Sequence, residues 1–153
     1  MLHHLVQKQE INASLETVWD YFATPANLNE LTPVDMQFEI VGGQIEKMYA
    51  GQLIAYRIQF MPLIKSNWLT EIAHIQDQSY FVDEQRIGPY RFWYHEHHFE
   101  STQHGTLITD KVTYALPFGI LGELVHAVWV GKKLKQIFDY RYKKNQTIFG
   151  IKE

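Results

Sequence analysis

Apolar and polar positions alternate in short runs up to Leu116 and change to three- and four-residue spacing from Gly119 onward. Alternation marks a half-buried strand, and the longer period marks an amphipathic helix. Leu2 to Ile11 predicts a first strand, with imperfect alternation. Ser14 reads as a helix N-cap or first-turn residue, Glu16 favours the same end, and Val18, Trp19, Tyr21 and Phe22 supply apolar surface. Thr24-Pro25 ends that helix, because the residue before proline is pushed out of helical angles. Ala26 to Leu31 predicts a second short helix, stopped at Thr32-Pro33.

Strand signals follow in series. Met36 to Ile40 alternates, and Gly42-Gly43 turns the chain. In Gln52 to Phe60, the residues Ile54, Tyr56, Ile58 and Phe60 share one face, and Met61-Pro62 is a break. Asn67 to Gln76 predicts a strand with mixed faces, and Tyr80 to Ile87 another, closed by Gly88-Pro89. Tyr90 to Ser101 and Thr106 to Leu116 are two long strands joined at His104-Gly105. Beyond them Ile120, Leu124, Ala127, Gly131, Leu134, Phe138, Arg141 and Ile148 form a helical stripe, widened by Leu121, Val128 and Ile137. A helix of about 30 residues is roughly 45 Å long, enough to cross a domain of this size. Consecutive strands followed by one long amphipathic helix predict an α+β fold. An antiparallel sheet buries the helix stripe on one face.

The 153 residues fit one domain, 1–153, and 46% hydrophobic residues with 20% charged exclude a disordered chain. A formal net charge of −3 disfavours nucleic acid as the main partner. The absence of cysteine excludes a disulfide framework, a thiol nucleophile and a cysteine-ligated metal. The N-terminal residues show no signal-peptide run. The most apolar stretch, Leu116 to Val130, is too short and too polar for a bilayer span, so a cytoplasmic protein without an integral membrane segment is expected.

The richest chemistry lies in Arg91 to Glu100. Strand parity puts Trp93, His95, His97 and Phe99 on one face, and Tyr94, Glu96, His98 and Glu100 on the other. A two-residue loop at His104-Gly105 predicts Phe99 opposite Asp110, His97 opposite Val112, His95 opposite Tyr114 and Trp93 opposite Leu116. The face of Ile108, Asp110, Val112, Tyr114 and Leu116 is apolar apart from Asp110, which makes it the inward face. Three readings of the two imidazoles and the carboxylate stay open. They form a buried network hydrogen-bonded to Tyr114, Asp110 or neighbouring backbone, anchor the polar head of an apolar ligand, or do chemistry as acid, base or zinc ligands with Asp110 or Glu71. Glu71 either points inward, with Arg57 as partner, or lies on the solvated face. Trp68 and Trp93 are core residues or ligand platforms. Asp83 and Gln85 read as residues that satisfy backbone groups near the Gly88-Pro89 turn. At the start of the long helix, Gly119 and Gly122 allow either a flexing gate or close packing, and the later lysines and Arg141 read as a solvated basic face.

The order of elements resembles that of the START-like, or SRPBCC, ligand-binding superfamily, which includes polyketide cyclases. The local text is similar too: Ser14-Leu15-Glu16-Thr17-Val18-Trp19-Asp20-Tyr21-Phe22, then Pro25, Asn27-Leu28 and Leu31-Thr32-Pro33. Asp83-x-Gln85-x-x-Gly88-Pro89-Tyr90, Trp93-x-His95-x-His97-x-Phe99 and Asp110-x-Val112-x-Tyr114-x-Leu116-Pro117-Phe118-Gly119 resemble a bacterial branch. The resemblance implies a helix-grip fold: a curved antiparallel sheet of about seven strands wrapped around the long C-terminal helix, with two short helices after strand 1. It implies a cavity between sheet and helix that holds a hydrophobic small molecule of lipid, polyketide or aromatic-like type. No catalytic set, metal or cofactor carries over. The expected ligand-binding residues are Trp68, Glu71, Trp93, His95, His97, Phe99, Asp110, Val112, Tyr114, Phe118, Leu121, Leu124 and Val128. The alternatives are an enzyme of cyclase, dehydratase or hydrolase type using His95, His97 and Asp110, and a protein-interaction module of cell-division or ribosome-associated type.

Overall fold

Seven antiparallel strands form one sheet in the order β1-β7-β6-β5-β4-β3-β2. The structure is a computed structural model that describes residues 1–42, 47–61 and 64–150. The strands are β1 (His3–Ile11), β2 (Glu39–Ile40), β3 (Leu53–Met61), β4 (Ile64–Gln76), β5 (Tyr80–Ile87), β6 (Phe92–Thr102) and β7 (Gly105–Ala115). Helix α1 (Leu15–Phe22) follows β1, and its N-cap Ser14 is extended and accepts a hydrogen bond from the Thr17 N–H through Oγ. Single 3-10 turns at Pro25–Asn29 and Val34–Met36 lead to β2. After β7 the chain enters α2 (Ile120–Val125), a π turn (His126–Val130) and α3 (Gly131–Phe149). This is the helix-grip α+β fold.

Several boundaries differ from the sequence expectation. The second short helix is a 3-10 turn that ends at Asn29, not a helix reaching Leu31, and β2 holds only Glu39 and Ile40. Strand β4 starts at Ile64, before Asn67. Gly43 and Pro62, which the sequence reading put in a turn and a break, lie outside the described residues. The β6–β7 register is shifted by two: Thr102 pairs with Gly105, so the two-residue loop is Gln103-His104. A shift of two keeps every side chain on its face and changes only what stands opposite. His97 therefore faces Asp110, His95 faces Val112, Trp93 faces Tyr114 and Phe99 faces Ile108.

The core has two parts. One, under α3, gathers Met36, Ile58, Trp68, Tyr90, Trp93, Val112, Tyr114, Leu134, Ile137 and Phe138. The other, under α1, gathers Val18, Trp19, Phe22, Leu31, Phe81, Phe99 and Ile108. The buried stripe of the long helix runs through Val130, Leu134, Ile137, Phe138, Arg141 and Asn145. The π turn inserts an extra residue ahead of it, which rotates the preceding segment by about 100°. The predicted stripe is therefore broken at the π turn, and most of α2 lies off the core. Gly122 is the buried residue of α2, and a Cβ there would overlap the Pro117 carbonyl oxygen, so this glycine serves close packing. Among the described residues no helix is long and apolar enough to cross a membrane.

Candidate functional site

Three neighbouring strands present the polar cluster in a row. Asp83 on β5 pairs with His95 on β6, and Asp110 on β7 pairs with His97. Residues two apart on a strand share a face, so the imidazoles of His95 and His97 lie one over the other, with centroids 3.7 Å apart and planes tilted by 34°. A carboxylate closes each side of the stack. On the Asp110 side, His95 Nε2 is 2.9 Å from Oδ1. His97 Nδ1 is also 2.9 Å from that oxygen, but off the line that a hydrogen bond needs. On the Asp83 side, His97 Nε2 is 2.9 Å and His95 Nδ1 3.4 Å from Oδ2, while Trp93 Nε1 donates to Oδ1 at 3.2 Å. Phe81 stacks on the outer face of His97 at 4.1 Å, and Phe138 from α3 meets His95 edge-on at 5.6 Å.

Burial and charge pull the four groups in opposite directions. Burial alone would raise the Asp83 and Asp110 carboxyls, but the facing imidazoles outweigh it and hold both below the ordinary carboxylate range. Burial and the neighbouring His97 lower His95 despite its carboxylates. For His97 burial also acts to lower the pKa, but the Asp110 and Asp83 carboxylates outweigh it and the net shift is upward. The stack therefore holds its first proton on His97 while His95 stays neutral.

Asp83, His95 and His97 each offer one ligand atom, all within 4.8 Å of one another. Two imidazoles and a carboxylate are a donor set suited to zinc. Asp110 stands on the far side of His95, where an outer carboxylate orients a ligating imidazole.

The cluster forms part of the wall of a cavity of about 120 Å³ between the sheet and α3. Met36, Ile58, Trp68, Leu134, Ile137 and Phe138 make most of its apolar wall, and Tyr56, Thr70 and Arg141 add polar groups. Tyr56 Oη and Thr70 Oγ1 are 3.1 Å apart, and burial raises the Tyr56 phenol well above its ordinary pKa.

Of the expected site residues, Trp68, Trp93, His95 and His97 line this cavity. Asp110 lies behind His95 and His97, away from the open space. Phe99 packs in the second core against Trp19, Phe22 and Phe81, and Val112 is buried under α3. The Tyr114 hydroxyl lies 2.8 Å from His126 Nε2, so its partner is on the long helix and not on β6. Four residues contradict the expectation outright. Phe118, Leu121, Leu124 and Val128 are 83%, 69%, 62% and 65% exposed and do not line the cavity. Glu71 is also misplaced. It is on the outer face of the sheet, paired across β4 and β5 with Arg86 and not with Arg57.

Sequence reasoning missed Asp83 and Arg141. Gln85 does satisfy the backbone of the turn, donating to the Tyr90 carbonyl and accepting from its N–H. Asp83 does not; it turns to the histidines. Its pairing with His95 follows from the Tyr80–His98 register. Arg141 fell in the predicted helical stripe between Phe138 and Ile148, and a cation in an apolar stripe was the available signal.

No family model matches the sequence, and no curated protein matches it. Solved structures share its fold. Protein CV1439 from Chromobacterium violaceum superposes with a TM-score of 0.73 at 11% identity, over 98% of this chain and 99% of that one. Ginseng major latex-like protein 151 from Panax ginseng gives 0.69 at 13%, over 97% of each chain. Protein TTHA0849 from Thermus thermophilus gives 0.67 at 18%, over 95% of each. At these identities the likeness extends to the fold.

Proposed function

We propose that the protein binds a small, mainly apolar molecule in the cavity between the sheet and α3. The observation that carries this reading is the cavity itself: aromatic and aliphatic on most sides, with a charged polar wall on one. Binding pockets commonly combine an apolar body with a few placed polar groups. Size narrows the ligand. An apolar cavity of about 150 Å³ holds one benzene ring, so about 120 Å³ is on the scale of a single compact ring or branched chain.

Native mass spectrometry of freshly purified protein, repeated after denaturation, tests the reading together with an NMR titration using small aromatic compounds. A bound mass lost on denaturation, or saturable shifts at Trp68, Trp93 and Phe138, supports it. No retained mass and no saturable shift with any such compound overturns it.

The convergence of Asp83, His95 and His97 favours a second reading, in which the same wall acts on the bound molecule as acid and base or through a metal. Turnover that is lost in His97→Ala while binding and folding persist would distinguish it.

A further inference from the structure

Arg141 stands out among the polar groups of the cavity wall. It is 8% exposed. Among the described residues, its Nε and Nη1 have no hydrogen-bond partner. Its Cζ lies 5.1 Å from the centroid of the Phe138 ring, so the guanidinium rests on an aromatic face at the cavity wall. Buried charges are ordinarily paired, and burying an unpaired donor costs stability. The nearby carboxylates do not resolve the imbalance: Asp83 is taken by His97, His95 and Trp93, and Asp110 lies between His95 and His97. Tyr56 and Thr70 border the same space with two hydroxyls that face each other.

We propose that Arg141 receives the anionic head of the ligand, and that the bound molecule is a compact aromatic or branched carboxylic acid with its apolar body against Trp68 and Phe138. The proposal rests on the cavity-binding reading above and adds the charge of the ligand to it. A guanidinium offers two parallel N–H donors to a carboxylate, which a neutral amide of the same shape cannot match.

The test compares acids with their near-isosteric amides, benzoate with benzamide and phenylacetate with phenylacetamide, by NMR titration of the labelled protein. The unmodified protein should bind each acid at least about tenfold more tightly than its amide, the scale of a charge-assisted hydrogen bond. Arg141→Met should erase that preference while leaving amide affinity within about threefold. Arg141→Lys should keep a reduced preference. If acid and amide bind the unmodified protein equally, or if the preference survives in Arg141→Met, the anion proposal falls while the cavity reading stands. If none of the four compounds binds, the anion proposal falls, and the cavity reading falls with it where no mass is retained either. The acid–amide comparison on the unmodified protein is decisive even where a variant does not fold.

Discussion

Replacing Asp110 by Asn removes one negative charge from the centre of the histidine cluster and keeps the shape of the side chain. The amide oxygen can still accept from His95 Nε2, now 2.9 Å from the carboxylate, so the loss is one of charge more than of contact. Breaking a buried ion pair by removing one partner costs about 3–5 kcal/mol. With one hydrogen bond retained, the lower end applies, about 3 kcal/mol. For a chain of this size that is a fall in melting temperature of about 6–12 °C.

The penalty depends on pH in a direction fixed by the two shifted groups. The folded pKa of His97 is raised above 6.5, so its stabilisation is fully present below 6.5 and is lost as pH rises through the folded value. Asp110 is depressed, so its stabilisation is present above its unfolded value near 3.8 and is lost as pH falls. The Asp110→Asn penalty should therefore be largest between these limits, near pH 5.5, and smaller at an alkaline pH above the folded value of His97. His95, held neutral, contributes the opposite slope in both proteins, so the two must be compared at each pH. Urea unfolding at both pH values reads the penalty, provided that the m value is unchanged. A penalty that is equal at the two pH values, or larger at high pH, would refute the assignment of the shared proton to His97.

Three further outcomes follow from other parts of the molecule. Phe138→Ala should cost about 3–5 kcal/mol in urea unfolding and enlarge the cavity enough for larger aromatic compounds to bind; unchanged ligand size selectivity would argue that the space closes up. Gly105→Ala should cost about 2 kcal/mol or more, because φ there is +139° and a Cβ would overlap the Ile11 carbonyl oxygen; a neutral result would mean that β1 and β7 can separate at that end. The double change Leu121→Ala and Leu124→Ala should alter stability by no more than about 0.5 kcal/mol per site and leave benzoate affinity unchanged; weaker binding would bring α2 back into the site.

What could be read in the sequence depended on which physical rule each feature obeyed. Side-chain parity along a strand is strict, so the shared face of Trp93, His95, His97 and Phe99 was legible without knowing the register. The register was not, because His104-Gly105 and Gln103-His104 are both two-residue loops and the two differ by two residues. That difference left every face intact but moved Asp110 from opposite Phe99 to opposite His97. Helical periodicity held from Val130 onward and failed before it, since three- and four-residue spacing carries no sign of a π turn. Asp83 escaped because its partner lies on the next strand, beyond any local pattern.

The cavity and the charges around it are also a statement about stability. Unfilled core volume costs about 24 cal/mol per Å³, so a cavity of about 120 Å³ forgoes about 3 kcal/mol relative to a filled core. A buried guanidinium with two unpaired donors adds to that cost, whereas an apolar residue of similar volume is often neutral or stabilising. Arg141→Met should therefore raise the melting temperature of the ligand-free protein or leave it unchanged, opposite to what a structural arginine would do. A ligand that fills the cavity and pairs the guanidinium should stabilise the unmodified protein by about 2.7 kcal/mol at one hundred times its dissociation constant. That is a rise of about 5–11 °C in melting temperature. The two shifts can be read in one thermal scan of both proteins with and without benzoate. A destabilised Arg141→Met that gains as much from benzoate as the unmodified protein would mean that the arginine holds the fold and plays no part in recognition.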